Sequence, residues 1–313
     1  VRAAVSLAGS QPKYEEFGDP VAGDGKVVVR MHAAALTRFD MAIASGRHYF
    51  KPPAGAFVVG REGVGRLASG QRVYVNAKAT TGVFGTMAEQ VLVDPALVLP
   101  VPDGIGDEYA AALGNAGLAA WLPLSWRARM RAGESVLILG ATGVTGLLAV
   151  ASAKLQGAGR VIAAGRDKAA LARAVRLGAD AVVELEDGAD LVSAYRQAAG
   201  GDIDIVLDYL CGAPAEAALQ VLGTGGRLVH IGTTVAQTMT FAGGWARKAN
   251  FDIMGFAYYH APIDLQAEAY AQLCRHTAAG RMEVDITTAP LADIGQVWAA
   301  QSASARRRFV LVP

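Results

Sequence analysis

The spacing of apolar and polar positions changes character partway along the chain. Up to about residue 116 the apolar residues come in short runs broken by Gly and Pro. Residues 26–31, 64–67, 72–75 and 87–93 read as strands, with turns around Gly23 to Gly25, Pro52 and Pro53, and Ser69 and Gly70. One helical stretch, 37–45, interrupts them. This texture predicts a small β-barrel or sandwich. From about Asp107 an Ala/Leu-rich helix runs through Trp121. Beyond Gly133 strand and helix alternate. The strands are 136–139, 160–164, 181–184, 203–208, 227–231 and 251–256, and Gly157, Gly178 and Gly200 stop helices between them. Six strands with intervening helices predict a doubly wound parallel sheet. The tail returns to mixed texture, with a helix over 262–279, a strand over 283–288, a helix over 294–302 and a last strand.

The first strand–helix–strand unit of the alternating region carries the clearest chemistry. Its turn is Gly140, Ala141, Thr142, Gly143, Val144, Thr145 and Gly146, set between the strand at 136–139 and a helix over 147–156. Glycines at that spacing let the backbone approach a pyrophosphate, and the unpaired N–H groups of the helix start favour an anion there. The next strand runs into Gly165, Arg166, Asp167 and Lys168. Its end has no acid to accept from an adenosine ribose. A guanidinium and an ammonium lie instead where a 2′-phosphate would sit, which predicts NADP(H). Asp167 complicates the reading, because it could pair with Arg166 or reach the ribose itself.

Composition narrows the class. The 313 residues are 52% hydrophobic and 18% charged, which suits two well-buried globular domains. A net charge of +1 offers no bulk attraction to nucleic acid or to a membrane surface. Two cysteines, Cys211 and Cys274, make no disulfide or metal framework, so a reducing cytoplasm is expected. No apolar run approaches the roughly 18 residues of a membrane span, and the first residues lack a signal-peptide core, so a soluble protein is expected. The run Arg306 to Arg308, just before the strand-like 309–312, reads as a solvated turn or edge.

Several stretches together resemble the medium-chain dehydrogenase/reductase superfamily, and within it the zinc-free quinone oxidoreductase branch that includes zeta-crystallin. They are 59–65 (VGREGVG), 85–91 (GTMAEQV), 97–104 (LVLPVPDG), 110–121 (AAALGNAGLAAW), the 140–146 loop, 204–208 (DIVLD) and 225–232 (GGRLVHIG). The resemblance implies an α/β protein: a GroES-like β-barrel catalytic domain over 1–116 and 262–313, and a Rossmann NADP(H)-binding domain over 117–261, with a cleft between them and a homodimeric assembly. It implies hydride transfer to a small apolar quinone or α,β-unsaturated carbonyl. An enoyl-thioester reductase and a non-enzymatic NADPH- or RNA-binding crystallin-like protein are the alternatives. Near-zero charge and the lack of an RNP-like aromatic motif argue against RNA.

The departures from the zinc alcohol dehydrogenases of that superfamily bear on mechanism. Those enzymes place Cys where this chain has Thr37, and His where it has Arg61. Thr is a poor zinc ligand and Arg is a fixed cation, so no metal is expected. Without a Lewis acid, an acceptor that is already electron-poor is the suitable substrate. The resemblance makes Thr37 and Asp40 candidate catalytic residues, although Thr37 is equally a good helix cap and Asp40 can pair with Arg38 or Arg61. The family often carries Tyr where Ala42 stands, and His48 or Tyr49 could replace that hydroxyl as proton donor. Arg61 could hold a developing oxyanion, or could form an internal salt bridge with Glu62, Asp40 or another carboxylate. Expected cofactor contacts are Asn115, Gly140 to Gly146, Gly165, Arg166, Lys168, Ile231 and Gly232. His230 lies on a strand leading to the cofactor edge, where a packing role is at least as well supported.

Overall fold

The computed structural model describes residues 1–303 and 308–313. In chain order its strands are β1 (Arg2–Ser6), β2 (Lys13–Glu16), β3 (Val27–Leu36), β4 (Phe57–Val58), β5 (Gly63–Arg66), β6 (Arg72–Val75), β7 (Gln90–Val93) and β8 (Leu99–Pro100). The next six are β9 (Ser135–Leu139), β10 (Arg160–Gly165), β11 (Ala181–Glu184), β12 (Ile203–Asp208), β13 (Leu222–His230) and β14 (Asp252–Gly255), and β15 (Ile286–Pro290) and β16 (Arg308–Val312) close the chain. The helices that matter below are α1 (Arg38–Ala44), α2 (Asp107–Leu122), α3 (Val144–Leu155) and α4 (Lys168–Arg176). The chain divides into one unit of Val1–Ala116 with Pro262–Pro313 and a second of Gly117–Ala261. No helix among the described residues is long and apolar enough to cross a membrane.

The first unit is built on a sheet in the order β15-β16-β3-β5-β6-β8, with β7 also paired to β3, and a smaller sheet β2-β1-β4. β3 is the spine. Its ten residues alternate partners along their length, meeting β7 through Val27 to Arg30 and β5 and β16 further on. Val29, Met31, Val73, Val75, Val91 and Val93 make one core; Leu36, Phe57, Met87, Trp298, Phe309 and Leu311 make another. Strands β1, β2, β4 and β8 fall outside the sequence reading. They are short or, like the exposed Lys13–Glu16, lack apolar alternation.

The arginine run before the last strand corrects an expectation. Arg306 and Arg307 lie outside the described residues, but Arg308 is not a solvated side chain. It opens β16 with only 7% of its side chain exposed, and its Nη2 lies 2.7 Å from Glu62 Oε1. It also donates to Ala112 O. Buried Glu62 accepts from Tyr74 Oη at 2.7 Å and from the Asn115 N–H at 2.6 Å as well. An uncompensated buried carboxylate costs several kcal/mol, so the arginine is drawn inward.

The second unit is the doubly wound sheet, in the order β11-β10-β9-β12-β13-β14 with every pair parallel. That order reverses direction between β9 and β12, which is where an open α/β sheet binds ligands at its carboxyl edge. Leu137, Leu139, Ile162, Val206 and Leu228 pack on one face with Tyr195 and Leu219. Strand β13 starts well before the expected 227 because a register shift between Ile203 and Ile205 lets Leu222 pair as well.

Candidate functional site: a dinucleotide loop and a buried carboxylate–guanidinium group

In the second unit the glycine loop has the shape its spacing implies. Gly140 adopts φ +86°, the left-handed region that favours glycine, and the N–H groups of Gly140 and Ala141 both donate to Ala164 O at 2.9 Å. A side chain on Gly146 would overlap Gly140 O and the Ala141 backbone, so helix α3 can pack against the turn only because that position is bare. Gly165 is bare for a similar reason, since a Cβ there would run into Thr142. Gly143 differs. The nearest atom to a Cβ there is Gly140 O at 3.7 Å, so the protein itself does not demand glycine. It sits at the N-terminus of α3 with no side-chain cap, ahead of Val144 and Thr145. An open face at an uncapped helix start fits a pyrophosphate.

The strand end is more crowded than the sequence suggested. Asp167 caps α4, accepting from the N–H groups of Ala169 and Ala170. Arg166 is exposed. Lys168 lies 3.1 Å from Glu184, with 77% of its side chain exposed. Glu184 was not foreseen. Parallel pairing sets it directly beside Gly165, so an acid does stand next to the end of β10, contributed by the neighbouring strand. No local pattern pointed to it, because it follows from the register of β10 against β11. At the ends of β12 and β13, the N–H groups of Ile231 and Gly232 donate to Asp208 O at 2.8 and 3.2 Å.

In the first unit Thr37 is the N-cap of α1 in a reciprocal capping box. Thr37 donates to Asp40 Oδ2 from its N–H at 2.8 Å and from its hydroxyl at 2.6 Å, and Asp40 N–H returns a bond to Thr37 Oγ1 at 3.1 Å. Asp40 is therefore held by Thr37, not by Arg38 or Arg61. Its Oδ1 is buried and without a hydrogen-bond partner among the described residues. Burial pushes its carboxyl up to about 6, against the Thr37 bonds, and Glu62 adds to the rise.

Arg61 corrects the salt-bridge expectation. Among the described residues it has no ion pair within 4 Å; its Nη1 donates to Thr80 Oγ1 at 2.9 Å, and Glu62 turns to Arg308 instead. Burial lowers the guanidinium from its ordinary value, while Asp40 acts in the opposite direction. Thr37, Asp40 and Arg61 thus share one partly desolvated neighbourhood, to which Thr80 is an unforeseen addition. His48 and Tyr49 belong to a different group. Their rings lie tilted against each other with centroids 3.9 Å apart, His48 stacks on Phe50, and His48 meets Phe39 edge-on. Tyr49 is 66% exposed. The Asn115 N–H is held by Glu62.

The donor set does not suit zinc. Thr37 uses its hydroxyl proton on Asp40, Arg61 is a cation, and no group of three or more His, Cys, Asp or Glu able to hold a metal occurs among the described residues.

Residues 23–103 match the family described as alcohol dehydrogenase GroES-like domain, and residues 144–275 match the family described as zinc-binding dehydrogenase. The chain is 33% identical, over 92% of its length, to a phenolphthiocerol/phthiocerol polyketide synthase protein of Mycobacterium tuberculosis, of whose length it spans only 14%. A quinone oxidoreductase from Thermus thermophilus, solved alone and with NADPH, shares 26% identity with full coverage of both chains and a TM-score of 0.79. A mycobacterial quinone oxidoreductase, at 21% identity and a TM-score of 0.88 over 100% of this chain and 99% of its own, shares the fold. The two family matches together cover most of the chain, which belongs to the medium-chain dehydrogenase/reductase superfamily.

Proposed function

We propose that this protein is an NADP(H)-dependent reductase that adds hydride and a proton to a quinone or an α,β-unsaturated carbonyl compound without a metal. The observation that carries this reading is Arg61, a partly desolvated guanidinium bonded to Thr80 and with no carboxylate partner among the described residues. A cation so placed stabilises the oxyanion that forms on an electron-poor acceptor as hydride arrives. The cofactor, when bound, supplies that hydride.

The chain's own residues divide the remaining work. Gly140 to Gly146 receive the pyrophosphate at the start of α3, and Gly165, Arg166 and Lys168 meet the adenosine end. Ile231 and Gly232, beyond the end of β13, complete the cofactor contacts of this unit. Asp40 is a positioning residue that fixes Thr37 through two accepted hydrogen bonds. The proton comes from His48, Tyr49 or solvent, since both side chains lie where water reaches them. The NADPH-bound state of the 26%-identical quinone oxidoreductase supports the choice of cofactor.

An enoyl thioester is the second reading for the acceptor, favoured by the likeness to a segment of a polyketide synthase. Its double bond is polarised in the same way, so Arg61 would serve it equally. Steady-state NADPH oxidation with 1,4-benzoquinone, a simple enone and crotonyl-CoA separates the readings. Turnover of the first two supports the proposal, and turnover of crotonyl-CoA alone favours the second. No turnover of any of the three would contradict both.

A further inference from the structure

The carboxyl ends of β12 and β13 hold a titratable pair that the account above does not use. Asp208 ends β12 with none of its side chain exposed, and His230 ends β13. His230 Nδ1 lies 2.7 Å from Asp208 Oδ2. The other oxygen, Oδ1, accepts from the N–H groups of Leu210 and Cys211, both at 2.9 Å. The carboxylate is thus anchored on two backbone groups before the imidazole reaches it. A carboxylate only accepts, so the His230 proton faces Asp208 and the ring is fixed in one orientation and one tautomer. The Asp208 bond also raises His230 above the ordinary imidazole value, against the effect of burial. The side chain keeps 27% of its surface accessible, at the sheet edge where ligands bind in this topology.

The position is informative because a sheet in this order is two mononucleotide-binding halves. The half made by β9, β10 and β11 contains the glycine loop and the strand end with Arg166. The half made by β12, β13 and β14 contains Asp208 and His230, and by the symmetry of the fold it receives the other nucleotide.

We propose that His230, oriented by Asp208, is a cofactor-binding residue that hydrogen-bonds the nicotinamide riboside half of the dinucleotide through its second ring nitrogen. This rests on the NADP(H) reading above. Asp208 acts through His230 and is a positioning residue.

The test is a pair of equilibrium titrations on purified protein, one with NADPH and one with adenosine 2′,5′-bisphosphate, which lacks the nicotinamide half. His230→Asn keeps a polar group near the Nδ1 position, within reach of Asp208, while removing Nε2; His230→Phe keeps a flat ring and removes both nitrogens. The expected result is a Kd for NADPH about tenfold weaker in both variants, as for one lost hydrogen bond of about 1.4 kcal/mol. The bisphosphate Kd should stay within about twofold of wild type. Equal weakening of both ligands, or no weakening of either, overturns the proposal and leaves His230 a packing residue. Wild-type protein that binds neither ligand overturns the cofactor reading itself. Should both substitutions unfold the chain, ¹⁵N-histidine spectra of the wild type decide. A shift of the His230 Nε2 resonance with NADPH and not with the bisphosphate supports the proposal, and an unmoved resonance contradicts it.

Discussion

The glycine loop of the second unit and the Thr37–Asp40–Arg61 group of the first are built in opposite ways. The loop is one run of consecutive residues whose geometry is enforced by backbone contacts within a few positions, such as Gly146 against Gly140. The other group takes its electrostatics from far along the chain. Glu62, the acid next to Arg61 in the chain, pairs instead with Arg308, 246 residues away. A site made of local backbone is written in local spacing. A site made of desolvated side chains depends on every charge buried beside it.

Arg61 offers the largest expected effect. Arg61→Met should lower kcat and kcat/KM together by about 10²–10³, as removal of one well-placed oxyanion donor does, with the Kd for NADPH within about twofold of wild type. The melting temperature, measured on the same preparation, separates a chemical from a structural role. Unchanged turnover per folded molecule would remove Arg61 from the mechanism.

Asp40 comes next, through pH. Its folded-state carboxyl lies at about 6 against an ordinary 3.8. Between those values the folded protein keeps a proton that the unfolded chain has released, so stability falls as pH rises from about 4 to about 6, and the loss is complete above that. Asp40→Asn should flatten this dependence, a difference of about 2–3 kcal/mol across the window in urea unfolding, while its amide oxygen still accepts from Thr37. An identical pH slope in the variant would show that Asp40 titrates normally.

These two cases mark what was legible. The alternation after Gly133 disclosed the six-stranded sheet, because each parallel strand is an apolar run ended by glycine or a charged turn; 181–184 and 203–208 coincide with β11 and β12. The all-β part was read less fully. Strands as short as Phe57–Val58 exist only through pairing with β1, which no local pattern encodes. In the candidate site, the Thr37–Asp40 spacing was readable because a capping box is local. The burial of Arg308, the bond of Arg61 to Thr80 without an ion pair among the described residues, and the arrival of Glu184 beside Gly165 were not, since each arises from segments brought together across the fold.

Cofactor preference probes the loop side of the comparison. Arg166→Ala should weaken NADPH binding by about 10–10², for one charge-assisted bond of about 1.5–3 kcal/mol, and leave NADH binding nearly unchanged in parallel titrations. Equal weakening of both cofactors would mean Arg166 does not read the 2′-phosphate. Gly146→Ala should lower stability by about 1–3 kcal/mol by overpacking the turn against α3, whereas Gly143→Ala should cost clearly less stability yet impair nucleotide binding. Similar stability losses at the two positions would deny the open face at Gly143. The smallest effect belongs to Lys168→Ala, under about fivefold on NADPH, because its exposed ammonium is already shared with Glu184.

The central claim, delivery of hydride to an electron-poor carbon without metal assistance, has a direct readout. The metal-chelated enzyme is given NADPH carrying deuterium at both C4 positions together with a simple α,β-unsaturated ketone, and the saturated product is analysed by mass spectrometry and NMR. The account predicts one deuterium per product molecule, at the β-carbon, with the α-hydrogen drawn from solvent. A saturated product without deuterium, or reduction that appears only when zinc is restored, would contradict it.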